Sequence, residues 1–79
     1  MTIKIFTKDF CPFCTNARKL LDEKKIAFEE VNVTQNEELL SELKERTGQK
    51  TIPIVFVNKS HLGGFDELQN HIAIQELIS

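Results

Sequence analysis

No run of apolar residues in this 79-residue chain approaches the roughly 20 that a helix needs to cross a bilayer. That excludes a transmembrane helix as its purpose. Charge of one sign is lacking too: ten Lys and Arg face twelve Asp and Glu, for a formal net charge of −2. The lysines are scattered among acids and form no basic stripe. Neither nucleic acid nor an anionic membrane surface is therefore expected as a partner. Only two cysteines occur, three positions apart. They are too few and too close for the disulfide framework of a small secreted domain. Internal repeats, low-complexity tracts and linkers are missing as well, so residues 1–79 are expected to form one domain.

What is there alternates between strand and helix signals. Met1 to Phe6 lacks the zones of a secretory leader, which makes a cytoplasmic location the expectation. Thr2 to Thr7 is β-branched and aromatic, and predicts a first strand. Pro12 then stands where a helix can begin without missing its amide hydrogen. Cys14, Ala17 and Leu21 recur at helical spacing with Leu20 beside them, predicting a helix to about Lys25. Ala27 to Val33 predicts a second strand, with Ala27, Val31 and Val33 on one face. Thr34-Gln35-Asn36-Glu37 has capping-box form, with Thr34 as the cap. The helix it opens carries Leu39, Leu40 and Leu43 and stops at Thr47-Gly48.

Ile52 to Val57 is almost wholly apolar, as an inner strand requires. Asn58-Lys59 predicts a hairpin turn into a brief strand around His61-Leu62, broken by Gly63-Gly64. A last helix follows, with Phe65, Leu68, Ile72 and Leu77 on its buried side. The order βαβα–ββα implies a parallel pair with a right-handed crossover, then a hairpin. The simplest arrangement is a four-stranded mixed sheet flanked by three helices, an α/β fold of the thioredoxin-like architecture.

Cys11-Pro12-Phe13-Cys14 lies between the first strand and the first helix. Cys11 falls at the helix N-cap, where unpaired amides and the positive end of the dipole favour an anion. A thiolate there is favoured over the thiol, which suits a nucleophile. Cys14 lies about one turn further in and should be more buried. Cys11 is thus expected to attack and Cys14 to resolve. On the residues alone two other uses stay open: half of a zinc site, completed by His61 and His71 from distant elements, or plain packing.

Taken together, Lys8-Asp9-Phe10-Cys11-Pro12-Phe13-Cys14, Thr51-Ile52-Pro53 and Gly63-Gly64-Phe65-Asp66 resemble the glutaredoxins over the whole chain in one register. The family's common active site is Cys-Pro-Tyr-Cys, so Phe13 removes a hydroxyl. The resemblance implies a glutathione-dependent thiol–disulfide oxidoreductase acting on glutathionylated or disulfide-containing proteins, with ribonucleotide reductase among the candidates. It implies glutathione as reducing co-substrate, no metal, and a monomer.

It also implies a cis-proline at Pro53 facing Cys11, with the backbone of Thr51 and Ile52 turned toward the substrate. A pocket would follow in which Lys8 and Lys50 meet the glycine carboxylate of glutathione. Lysine at position 50 keeps the charge of the family's frequent arginine but loses its fork. At the other end Gly64 allows close approach, and the amides of Phe65 and Asp66 suit the γ-glutamyl carboxylate. The Asp66 side chain would pair with the ammonium, and Phe13 would border the site.

Two neighbouring activities share parts of this pattern. One is a redoxin reduced by thioredoxin reductase, which lacks the pocket motifs supplied here by Lys8 and Asp66. The other is an iron–sulfur carrier, whose usual Cys-Gly-Phe-Ser lacks the bulky proline after the first cysteine. Thioredoxin itself is disfavoured by the missing tryptophan and by the absence of Cys-Gly-Pro-Cys.

Overall fold

A computed structural model describes residues 2–78. Its elements are β1 (Ile3–Thr7), α1 (Pro12–Glu23), β2 (Phe28–Asn32), α2 (Glu37–Thr47), β3 (Ile54–Val57), β4 (Ser60–Gly63) and α3 (Phe65–Ile78). The strands form one mixed sheet in the order β2-β1-β3-β4. β1 runs parallel to β2 and antiparallel to β3, and β3 pairs antiparallel with β4. The two-residue side-chain period of β1 explains why both faces are covered. Ile3 and Ile5 join Ala17, Leu21, Val55, Leu68 and Ile72 in one core beneath α1 and α3. Phe6 faces the other way and joins Val33, Leu40, Leu43 and Ile54 beneath α2. This is the thioredoxin-like sheet with three helices. Among the described residues no helix is long and apolar enough to cross a membrane.

Several local expectations change. The cap of α2 is Asn36, whose side chain accepts from the Leu39 amide at 3.1 Å. Thr34 instead sits in a turn, and its hydroxyl accepts from the Asp9 amide at 2.7 Å. The opposite end of α2 is as expected, with Gly48 in the left-handed region at φ 75° and its amide bonded to the Lys44 carbonyl at 2.9 Å. α1 stops at Glu23, and its closing turn has no glycine. Lys25 takes φ 57°, and two bonds close the end: Lys25 amide to Asp22 carbonyl at 3.1 Å and Ile26 amide to Leu21 carbonyl at 2.9 Å. This is a Schellman closure, and Ile26 packs on the core that contains Leu21.

β2 is shorter than its apolar pattern suggests. Register with β1 begins at Phe28, opposite Ile3, so Ala27 lies before the pairing and stays exposed. Leu77 is not buried either. It is 83% exposed, and Ile74 and Ile78 are exposed beside it. The buried stripe of α3 ends at Ile72, and the helix runs on as an exposed overhang. A Lys24–Glu76 pair at 2.9 Å ties that overhang to the end of α1.

Candidate active site

The segment that delivers Cys11 is held from both sides. Asp9 takes its amide to Thr34 and accepts from the Asn32 side-chain amide at 2.9 Å. Phe10 follows in the left-handed region at φ 56° with its ring fully exposed. Cys11 then takes extended dihedrals (φ −116°, ψ 103°) as N-cap of α1, with Pro12 next. Its sulfur accepts from the Cys14 amide at 3.2 Å, using one of the donors a helix start leaves unpaired. On its other side the Ile52 carbonyl lies 3.9 Å away, within reach of the S–H. The sulfur is thereby held at the N-terminal end of α1, against a backbone donor of its first turn.

Cys14 is chemically different although both thiols are free. It is fully buried on the inner face of α1. That burial, reinforced by its hydrogen bond with Cys11, pushes the Cys14 thiol up to about 12. The Lys8 amide and the Arg18 guanidinium offset only part of this. Arg18 is itself held by Glu30 at 2.6 Å, and Glu30 also accepts from the buried Thr7 hydroxyl at 2.6 Å. One partly exposed sulfur thus lies beside a buried one that resists charge. Such a pair can exchange disulfides with an outside thiol and close on itself afterwards.

A cleft of about 200 Å³ adjoins Cys11 and is lined by Phe13, Thr51, Ile52, Pro53, Gly64, Phe65, Asp66 and Glu67. Seven of the nine pocket positions expected from the sequence therefore meet in one place. The Ile52–Pro53 bond is cis. Phe13 is 58% exposed and its ring stands 6.2 Å from that of Phe65. Lys8 and Lys50 are exposed and lie outside the lining.

Two residues not foreseen belong to the surroundings. Glu67 lines the cleft and accepts from the Gly64 amide at 2.7 Å. That leaves the first-turn amides of Phe65 and Asp66 without an intrahelical partner. The spacing from Gly64 to Glu67 is that of a capping box, a signal readable in the sequence. Gly63 must stay small beside it: its φ is 142°, and a Cβ would meet Glu67 side-chain carbons at 2.5 and 2.9 Å. Gln49 is the other, a polar residue with no motif around it to mark it out.

A mixed sheet of this order, with a Cys-X-X-Cys pair opening α1 opposite a proline, defines the thioredoxin-like thiol–disulfide oxidoreductases. The chain belongs to the glutaredoxin family, whose model matches residues 3–62. Among curated relatives it is 42% identical over 69 residues to glutaredoxin 1 of Rickettsia conorii, covering 85% of this chain and 68% of that one. Among solved structures it is similar to a glutaredoxin from Brucella melitensis, with a TM-score of 0.80, 34% identity, and 98% and 84% of the two chains covered. It is also similar to a buckwheat glutaredoxin solved as a glutathione complex, with a TM-score of 0.86, 26% identity, and 96% and 72% covered.

Proposed function

We propose that this oxidoreductase uses glutathione, reducing protein–glutathione mixed disulfides and protein disulfides through Cys11 and Cys14. The observation that carries this is the position of the Cys11 sulfur, between the Cys14 amide and the Ile52 carbonyl, at the edge of the cleft. In the first step Cys11 thiolate attacks the glutathione sulfur of a mixed disulfide. A Cys11–glutathione disulfide forms, and the protein sulfur leaves as a thiolate that takes a proton from water. The thiolate of a second glutathione then attacks the bound glutathione sulfur. Oxidised glutathione departs, and Cys11 leaves as the thiolate it began as. On a protein disulfide, Cys11 attacks first and Cys14, after losing its proton, displaces the remaining substrate thiol. The resulting Cys11–Cys14 disulfide is reduced by two glutathiones.

The cleft supplies the recognition. The Phe65 and Asp66 amides at the start of α3 suit the γ-glutamyl carboxylate, and the Asp66 side chain suits the ammonium. The Ile52 backbone, whose carbonyl faces the Cys11 sulfur, suits strand-like pairing with the cysteinyl unit. Lys8 and Lys50, exposed and outside the lining, would meet the glycine carboxylate with their long side chains. The buckwheat protein's complex with glutathione supports the ligand class.

Turnover of a glutathionylated peptide, coupled to glutathione reductase and NADPH, tests the proposal. Activity that saturates with glutathione is expected. Turnover that needs thioredoxin reductase and ignores glutathione would contradict it.

A further inference from the structure

Gln49 stands outside the cleft lining, bonds to its Thr51 and Pro53 side, and reaches His61 on β4. Its backbone is anchored to the end of α2, the amide donating to the Thr47 hydroxyl at 3.1 Å. Its side-chain NH2 donates to the Thr51 carbonyl at 2.9 Å and to the Pro53 carbonyl at 2.7 Å. Both hydrogens are then spent, which fixes the orientation of the amide group. The oxygen must face His61, whose Nε2 lies 2.8 Å away and is therefore the donor. Either the Nε2–H tautomer or the imidazolium satisfies this contact.

The stretch from Gly48 to Pro53 has left α2 and has not yet entered β3, so its carbonyls lack ladder partners. Gln49 supplies them, and through His61 it ties them to β4. The two walls also approach closely. A Cβ built on Gly64 would stand 3.4 Å from the Gln49 nitrogen and 3.5 Å from the Pro53 oxygen.

We propose that Gln49 is a positioning residue that clamps the Thr51–Pro53 wall of the cleft to the β4–α3 wall, setting its affinity for glutathione without touching the ligand. This rests on the glutathione-dependent reading above. Ile52 presents its carbonyl to Cys11 from one wall, and Phe65 and Asp66 present amides from the other. A tripeptide bridging both walls is sensitive to their separation in a way that attack at the sulfur is not.

The test is Gln49→Met, which keeps length and loses both donors and the acceptor, beside Gln49→Arg, which offers planar donors to the two carbonyls but no acceptor to His61. In folded Gln49→Met the KM for glutathione should rise about tenfold, the worth of one net hydrogen bond, with kcat within about twofold. Gln49→Arg should leave most of that loss in place, because it cannot accept from His61 and so cannot rejoin the carbonyls to β4. Full recovery would overturn the clamp. Amide spectra of Gln49→Met without ligand should shift at Thr51 and Ile52 and equally at Gly64 and Phe65. An unchanged KM, or shifts confined to Thr51 and Ile52, would overturn the clamp. A wild-type protein that never saturates with glutathione would sink the functional proposal instead, while the spectra still decide the clamp.

Discussion

Cys14 should be a slow nucleophile despite being a free thiol, and the size of the effect follows from its surroundings. In a Cys11→Ser variant it is the remaining cysteine. Burial, the largest cause of its shift, is retained while the part owed to Cys11 is lost, so the wild-type value sets the upper limit. With its thiol at about 12 rather than the ordinary 9.0, about 10⁻⁴ is ionised at pH 8, against about a tenth of a peptide cysteine. The deficit is about 900-fold. A more basic thiolate is the better nucleophile, and a Brønsted slope of about 0.4–0.5 over three units returns about 16- to 30-fold. The net expectation from ionisation is alkylation slower than a peptide cysteine by up to about 30- to 60-fold. Complete burial slows it further by requiring the helix to open. Iodoacetamide labelling followed by intact mass gives the rate directly. A rate within threefold of the peptide would refute the account of this sulfur.

Stability should respond to the same group. Because the folded value lies above the unfolded one, Cys14 stabilises the fold fully below pH 9 and loses this as pH rises toward 12. The melting temperature of the wild type should therefore fall more steeply above pH 9 than that of Cys14→Ser, and parallel curves would contradict this. In the cleft, Asp66→Ala and Lys8→Ala should each raise the KM for glutathione about two- to fivefold, as exposed charges warrant. The Lys8 effect should fade at high salt, and unchanged kinetics in both would remove them from the site. Leu21→Ala, fully buried between α1 and the sheet, should cost about 3 kcal/mol in urea denaturation, whereas under 1 kcal/mol would mean that this core is looser than described.

The order of elements was legible because its signals are local, and most of the cleft because its motifs resemble those of the glutaredoxins. Pro12 after Cys11 marks a helix start, Thr47-Gly48 an end, and Asn58-Lys59 a turn. What escaped depends on contacts between distant residues. Thr34 is a good capping residue in isolation, but the Asp9 amide, 25 positions away, claims its hydroxyl. Ala27 fits the apolar alternation, yet where β2 begins is decided by its register on β1. Leu77 keeps helical spacing with Ile72's neighbours, but the buried stripe of α3 ends at Ile72. Lys25 in the left-handed region has no sequence mark, since glycine is the usual sign of such an ending. Gln49 was invisible for the same reason: its partners Thr51, Pro53 and His61 are brought together only by the fold.

The division of labour between the two sulfurs is tested most directly by mass spectrometry after one turnover with a glutathionylated peptide. Cys14→Ser protein should carry a single glutathione, located by fragmentation on Cys11, while Cys11→Ser protein should carry none. Glutathione found on Cys14 of the Cys11→Ser protein at a comparable rate would contradict the assignment.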